Sequence, residues 1–467
     1  MSSPRTSQSR SRRPQLHPTP PQGWMSDPNG PVYWQGEYHV FYQHNSDSTE
    51  WGLMRWGHLV SRDLIHWTDL GIAMSPTPAS FNADGCWSGC IRILDGKPVA
   101  YYTGASGGET SHRQTVLRAT ASHDLASFQQ EPTVAVLPHV GSDVGTGHQR
   151  DPFLLRHNDM WLMLLGTELS GEGGAVVLWT SPDLKEWTYE GVLYSRPSGG
   201  PGLDTGPVWE CPQLIEIDGQ WVLIVSVQMP GPVCPYAVWF VGEFDGRVFR
   251  PEQMGLVDGG EVYYAPSIAS DVVGPPLMWA WLQESPTARA NPREWAGTLS
   301  LPRELSVVQG RLVTGVADAI VRAHSDDVLR SPTVELLPGV RTVLGTIDCT
   351  TGRIELDWDA GSCEVAWGVD VHGRELRAGI RRTNEEAVLY AGLYAPDRND
   401  QAVWETAAAP STSLFIYFDA SVVEVFSGSG ASITFRVEPA ESHGELSVLS
   451  DSGATLRELA VTMSQST

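Results

Sequence analysis

A turn followed by an apolar β-strand recurs along the first two thirds of this sequence at a spacing near sixty residues. Each strand is rich in aromatic and aliphatic residues, and a Gly, Asp or Asn turn comes before it. Taken at the turn, the copies lie at positions 36, 96, 159, 219 and 274, so the steps are 60, 63, 60 and 55 residues. A repeat of this length built from short strands predicts a five-bladed β-propeller.

A second motif recurs with the same period, and two independent motifs in phase indicate a true internal repeat. It consists of a serine, an aspartate two positions on, a leucine and an aromatic residue, with its aspartates at Asp63, Asp124 and Asp183, steps of 61 and 59. Beyond residue 332 both markers stop, and strands with a different spacing follow. We therefore predict an all-β chain with a disordered tail at 1–16, the propeller at 17–305, a connector at 306–332 and a β-sandwich at 333–467.

Three acidic residues occupy nearly the same position within their repeats. Asp27 lies nine residues before the turn at 36, Asp151 eight before the turn at 159, and Glu210 nine before the turn at 219. Equivalent positions on the innermost strands of a propeller converge on its axis. The repeat thus predicts one cluster of Asp27, Asp151 and Glu210, joined by Trp87, Ser88 and the neighbouring Arg150.

A pair of close carboxyl groups is what cleavage of a glycosidic bond requires, one as an ionised nucleophile and one as a proton donor. Crowding three acids raises the pKa of at least one of them, which keeps a donor available near neutral pH. For a single aspartate before a proline, capping of a turn is the simpler interpretation. Three acids at the same position of a repeat favour the catalytic interpretation over turn capping. Cys211 is expected to pack beside Glu210 and to adjust its surroundings.

Charge and composition narrow the range of partners. The chain has 31 basic and 55 acidic residues, a net charge of −24, which disfavours nucleic acid and anionic membranes but not a neutral sugar. His39, His44 and His58 are not at metal-ligand spacing, so neither a metal nor another cofactor is predicted. The six cysteines do not form a disulfide scaffold; Cys349 and Cys363 could bridge two strands or remain free thiols.

Residues 1–16 are polar and arginine-containing and lack the apolar segment of a signal peptide. We expect a secreted protein whose leader is absent from this chain, with a cytoplasmic location as the alternative. No apolar run reaches the length of a membrane span. The sequence leaves the oligomeric state open.

The motifs around the three acids resemble those of glycoside hydrolase family 32, which includes invertases, fructan hydrolases and fructosyltransferases. Residues 24–30 are similar to its WMNDPNG signature, 150–152 to its RDP motif and 210–211 to its EC motif. The resemblance implies that Asp27 is the nucleophile, Glu210 the general acid/base and Asp151 the residue that stabilises the transition state. It also implies a sugar pocket lined by Ser26, Gln43, Trp51, Trp87, Ser88, Arg150 and Tyr264.

Two departures from the family pattern bear on the subtype. Ser26 stands where the signature has Asn, and Arg55 where His is common. Because changes at position 26 look associated with transfer to a sugar acceptor, we expect a levan fructotransferase that forms a difructose anhydride. The alternatives are an exo-acting levanase or inulinase, an invertase, and, from another class, a sugar-binding propeller without catalysis.

Overall fold

The computed structural model describes residues 13–108, 113–137, 149–200, 202–231, 233–285, 294–324, 326–382, 386–395, 401–438 and 443–463. Within these ranges the chain is nearly all β, with a single short helix, α1 (Asp318–Ala323). None of the described helical residues forms a helix long and apolar enough to cross a membrane. The expected secretion stays a prediction.

The first part of the chain forms five sheets of four or five strands, antiparallel except for one short parallel pair. In chain order the strands are β1 (Gly23–Trp34), β2 (Glu37–Asn45), β3 (Arg55–Ser61), β4 (Thr68–Met74), β5 (Gly85–Leu94), β6 (Lys97–Ser106), β7 (Arg113–Ala121), β8 (Phe128–Gln130), β9 (Arg150–His157), β10 (Met160–Leu169), β11 (Gly173–Ser181), β12 (Thr188–Arg196), β13 (Val208–Ile217), β14 (Gln220–Met229), β15 (Val233–Phe244), β16 (Phe249–Leu256), β17 (Tyr263–Ile268), β18 (Leu277–Leu282), β19 (Trp295–Ala296), β20 (Thr298–Leu299), β21 (Arg303–Val308) and β22 (Arg311–Val316).

The order of strands within these sheets is that of propeller blades. The sheets are β1–β4 with β19 added at the β1 edge, β5–β8, β9–β12, β13–β16, and β17, β18, β21 and β22 with β20 paired to β18. The first strands contact one another in a closed ring, β1 to β5, β9, β13, β17 and back to β1. The predicted β-propeller is confirmed, and its axis runs along these first strands.

The ring is closed by a short parallel pairing between the two ends of the propeller. Gly23 pairs with Trp295 and Trp24 with Ala296, so β19, near the propeller's end, lies beside the first residues of β1. On its other side β1 is held by β2, with Trp24 opposite Asn45. The first residues of the innermost strand are therefore fixed from both sides.

The second part of the chain is the predicted β-sandwich. One sheet has the order β23-β35-β26-β31-β32-β33 with β24 paired to β35, and the other β25-β34-β27-β28-β29-β30. The strands are β23 (Asp326–Ser331), β24 (Val334–Leu336), β25 (Thr342–Asp348), β26 (Thr351–Trp358), β27 (Cys363–Val369), β28 (Glu375–Arg382), β29 (Ala387–Tyr394), β30 (Ala402–Ala408), β31 (Ser413–Asp419), β32 (Val422–Ser427), β33 (Ser432–Arg436), β34 (His443–Leu449) and β35 (Ala454–Met463). Alternate residues of β26 point inward, so Ile354, Leu356 and Trp358 join one core between the sheets.

The boundaries differ from those expected from the sequence. The strand β22 continues the fifth sheet to Val316, eleven residues beyond the predicted end at 305 (316 − 305), and β23 already belongs to the sandwich. Residues 1–12 of the expected tail lie outside the described part of the chain. Residues 13–16 are ordered: Leu16 is buried, and its backbone N–H donates to Asp419. The partner lies 403 positions away, which a local pattern cannot reveal.

Buried charges join the propeller to the sandwich. Arg303 donates to Asp258 of the propeller and to Glu424 of the sandwich, and none of the three side chains is exposed. His17 donates through one ring nitrogen to Asp419 at 2.9 Å and contacts Glu424 through the other at 3.0 Å. An isolated buried ion is costly, so such groups persist because each has several partners. Cys349 and Cys363 are free thiols.

Candidate active site

Each innermost strand of the propeller carries a β-bulge near its first residues. A bulge adds one residue to a strand and turns a side chain in a new direction, which is common beside functional sites. The bulges lie between Met25 and Pro28, Cys86 and Gly89, Arg150 and Phe153, Glu210 and Gln213, and Tyr264 and Ser267. Asp151, Cys211 and Ala265 have positive φ angles of 61°, 48° and 50° at these points.

At these bulges, two consecutive residues of each innermost strand lie near the axis, and they form two rings. The first ring comprises Asp27, Ser88, Asp151, Cys211 and Ala265, each followed by Pro or Gly. The second ring comprises Ser26, Trp87, Arg150, Glu210 and Tyr264. The acids therefore do not share one phase as predicted, because Glu210 belongs to the second ring. Asp27 and Glu210 are both nine residues before the next turn, although they lie in different rings, because β1 contains a second bulge between Asn29 and Val32.

The first ring holds two carboxyl groups around a thiol. Ser88 Oγ donates to Asp27 Oδ2 at 2.7 Å, and the Cys211 backbone N–H donates to Asp151 Oδ2 at 3.0 Å. The Cys211 sulfur lies 3.8 Å from Asp27 Oδ2 and 3.6 Å from Asp151 Oδ2. Gln43 Nε2 is 3.4 Å from Ser88 Oγ. The two aspartates are thus neighbours, separated by one polarisable sulfur.

The second ring fixes the carboxyl group of Glu210. Arg150 donates to Glu210 Oε1 from Nη2 at 2.6 Å and from Nε at 3.1 Å. Tyr264 donates its hydroxyl to Glu210 Oε2 at 2.5 Å. Arg150 also donates to Gln228 Oε1 at 2.8 Å. Both oxygens of Glu210 are held, so its orientation is set before any substrate binds.

Burial changes the acidity of the cluster. It raises the pKa of Asp27 to about 6, an effect that the Ser88 hydrogen bond opposes and the charge of Glu210 increases. Burial likewise raises the pKa of Asp151 to about 7, against the opposing effect of the Arg150 guanidinium. The charges of Glu210 and Asp27 raise the pKa of Asp151 further. The site can therefore hold a proton close to neutral pH, as the sequence predicts for at least one acid.

The remaining predicted pocket residues lie around this cluster. Ser26 is buried next to Asp27, and Trp51 is 55% exposed with its ring against Trp87, centroids 6.0 Å apart. Buried polar atoms without a protein partner include Gln43 Oε1 and Trp24 Nε1. Of the predicted pocket residues, Ser26, Gln43 and Tyr264 are thus buried, whereas Trp51 is exposed.

Sequence reasoning missed two supporting residues. Thr103 Oγ1 accepts the Asp151 backbone N–H at 2.8 Å, and Gln228 contacts Arg150 as described. Both lie on second strands of blades, near the bulges, so the strand pairing of a propeller template would have pointed to them. His39 and His58 contact each other at 2.9 Å, and the described residues include no cluster of three or more His, Cys, Asp or Glu suited to a metal.

Comparison with known proteins agrees with this geometry. The model of the glycosyl hydrolases family 32 N-terminal domain matches residues 17–315. The chain is 30% identical to a sucrose-6-phosphate hydrolase of Escherichia coli over 95% of this chain and 93% of that protein. The structure is similar to a GH32 beta-fructofuranosidase of Bombyx mori, with a TM-score of 0.78, 26% identity and coverage of 97% and 94%. A mutant of that enzyme in complex with sucrose gives a TM-score of 0.77, 25% identity and coverage of 97% and 93%.

Proposed function

The chain belongs to glycoside hydrolase family 32 and is an enzyme of that family, and on this premise we propose that it hydrolyses small β-fructofuranosides with retention of configuration. Asp27 acts as the nucleophile, Glu210 as the general acid/base, and Asp151 stabilises the transition state. The observation that carries the proposal is the clustering of these carboxyl groups at the propeller axis, with Cys211 between two of them.

The first half of the reaction forms a covalent intermediate. Asp27 attacks the anomeric carbon of the fructosyl unit while Glu210 gives its proton to the departing oxygen. Asp151 accepts hydrogen bonds from ring hydroxyls, and its negative charge favours the oxocarbenium-like transition state.

The second half returns the enzyme to its starting state. Glu210, now ionised, removes a proton from water, and the resulting hydroxide attacks the anomeric carbon and releases Asp27. The hydrogen bonds from Arg150 and Tyr264 hold the ionised carboxylate of Glu210 in place for this step.

Relatives favour a small substrate and water as the acceptor. The Escherichia coli relative is described as a sucrose-6-phosphate hydrolase, and the Bombyx mori enzyme as a beta-fructofuranosidase seen with sucrose. These descriptions do not support the levan fructotransferase expected from Ser26, and they favour the invertase alternative instead. The serine at position 26 alone does not distinguish a transferase from a hydrolase within the family.

Product analysis tests the proposal. The enzyme is incubated in parallel with sucrose, sucrose 6-phosphate, inulin and levan, and the products are resolved by chromatography. We expect free fructose to form fastest from sucrose or its 6-phosphate. A difructose anhydride as the main early product from levan would restore the transferase interpretation. The matched control is Asp27→Ala, which should bind sucrose and release no fructose.

A further inference from the structure

The position of Asp27 depends on a short segment from the far end of the propeller. Asp27 follows Trp24 by three residues, and Trp24 is paired with Ala296 of β19. The next residue, Gly297, has φ +80°, and a Cβ there would lie 1.9 Å from the Met25 carbonyl oxygen. The backbone of Gly297 is thus packed directly on β1, two residues before the nucleophile.

Gly297 is itself held by a buried carboxylate. Its backbone N–H donates to Glu284 Oε1 at 2.9 Å. The same oxygen accepts a hydrogen bond from Arg436 Nη2 at 3.0 Å, and both side chains are buried. Charge-assisted hydrogen bonds of this kind are the strong ones in a low-dielectric interior. Arg436 ends β33, so this contact comes from the sandwich.

The sandwich and the N-terminal segment also contact β19 directly. The guanidinium of Arg436 lies 6.0 Å from the centre of the Trp295 ring, and that of Arg13 lies 4.9 Å from it. Arg13 in turn donates to Thr19 Oγ1 at 2.7 Å. The strand that closes the propeller beside the nucleophile is therefore fixed by groups outside the blades.

We propose that Glu284 and Arg436 are positioning residues for the proposed reaction, through which the sandwich sets the location of Asp27. Arg436 orients Glu284, Glu284 holds Gly297, and Gly297 fixes the carbonyl of Met25 and so the bulge that carries the nucleophile. The inference rests on the proposed function, since it treats Asp27 as the attacking group. Displacement of a reacting group by about 1 Å can reduce the rate on the order of 100-fold.

The test separates positioning from general loosening of the domain interface. Variants Arg436→Met, Glu284→Gln and the double variant are compared with Arg436→Lys on sucrose, at a temperature well below each melting temperature. We expect kcat to fall about 10- to 100-fold in the single variants with little change in KM. The kcat of the double variant should be no lower than that of the slower single variant, because both residues act through the same contact with Gly297. Arg436→Lys should recover part of the loss.

The control is Asp258→Asn, which removes a charge that bonds to Ser432 and Thr434 on the same sandwich strand. It should lower the melting temperature and leave kcat within about twofold. A crystal structure of Arg436→Met should show Asp27 displaced relative to Glu210. Unchanged kcat in the Arg436 and Glu284 variants, or an equal loss in Asp258→Asn, overturns the inference. If the unmodified enzyme cleaves no fructoside, the proposed function fails instead.

Discussion

Replacing Asp27, the proposed nucleophile, by its neutral isostere Asn should make the protein more stable at neutral pH. Burial raises the pKa of Asp27 from 3.8 to about 6, so the folded state disfavours its charged form. One pKa unit corresponds to about 1.4 kcal/mol, and a shift of roughly two units therefore costs about 3 kcal/mol of folding stability once the group ionises. Asn at position 27 has no charge and can still accept the Ser88 hydrogen bond.

The stability difference between Asp27→Asn and the unmodified protein should depend on pH, because it arises from ionisation of Asp27. Because the folded pKa lies above the unfolded one, the contribution of Asp27 to stability is greatest below pH 4 and falls as pH rises from about 4 to 6. Asp27→Asn should therefore match the unmodified protein near pH 4 and exceed it at pH 7.5. With 467 residues and about 2.1 cal/mol/K of unfolding entropy per residue, the gain is about 3 °C in melting temperature.

Differential scanning calorimetry at the two pH values measures this gain. The control, Asp183→Asn, alters an exposed aspartate whose pKa is lowered by backbone hydrogen bonds from Lys185 and Glu186, and it should give no gain at pH 7.5. A lower melting temperature for Asp27→Asn at pH 7.5, or an equal gain at both pH values, would refute the reasoning.

Three further predictions concern turnover. Glu210→Ala should slow sucrose cleavage about 10²- to 10⁴-fold and an aryl fructoside less, with azide restoring aryl fructoside turnover; equal losses on both substrates would contradict the acid/base role. In the unmodified enzyme, kcat/KM should decline below pH 7, where first Asp151 and then Asp27 take up a proton, and a flat profile down to pH 4 would exclude both as ionised groups in turnover. Tyr264→Phe, which removes the donor to Glu210 Oε2, should lower kcat about tenfold and alter its pH profile, whereas an unchanged profile would make Tyr264 a packing residue.

The repeat was enough to predict the architecture and which acids meet. A strand period is a local property, so the turns before Tyr38 and Trp161 could be aligned without knowing the fold. The exact phase was missed because a bulge adds a residue without changing the strand pattern. The second bulge of β1 made Asp27 look equivalent to Glu210, whereas Asp27 belongs to the first ring, where its carboxyl group contacts Ser88 and Cys211.

Contacts between distant segments could not be predicted in this way. The link from Leu16 to Asp419 spans 403 positions and that from Glu284 to Arg436 spans 152. Neither has a local signature, because a buried carboxylate and an exposed one look alike in sequence. The domain boundary at Val316 was misplaced for a related reason: β22 belongs to the fifth sheet through pairing with β21, not through the repeat markers.

The parallel pairing of β1 with β19 has a consequence for synthesis on the ribosome. Trp295 is 272 residues after its partner Gly23 (295 − 23). At roughly 5–20 residues per second, β1 is exposed for about 14–54 s with that edge unpaired. Arg436, which supports the closing segment, is translated later still. A nascent chain stalled before this arginine contains all three acids but lacks the contact that holds the closing segment from the sandwich.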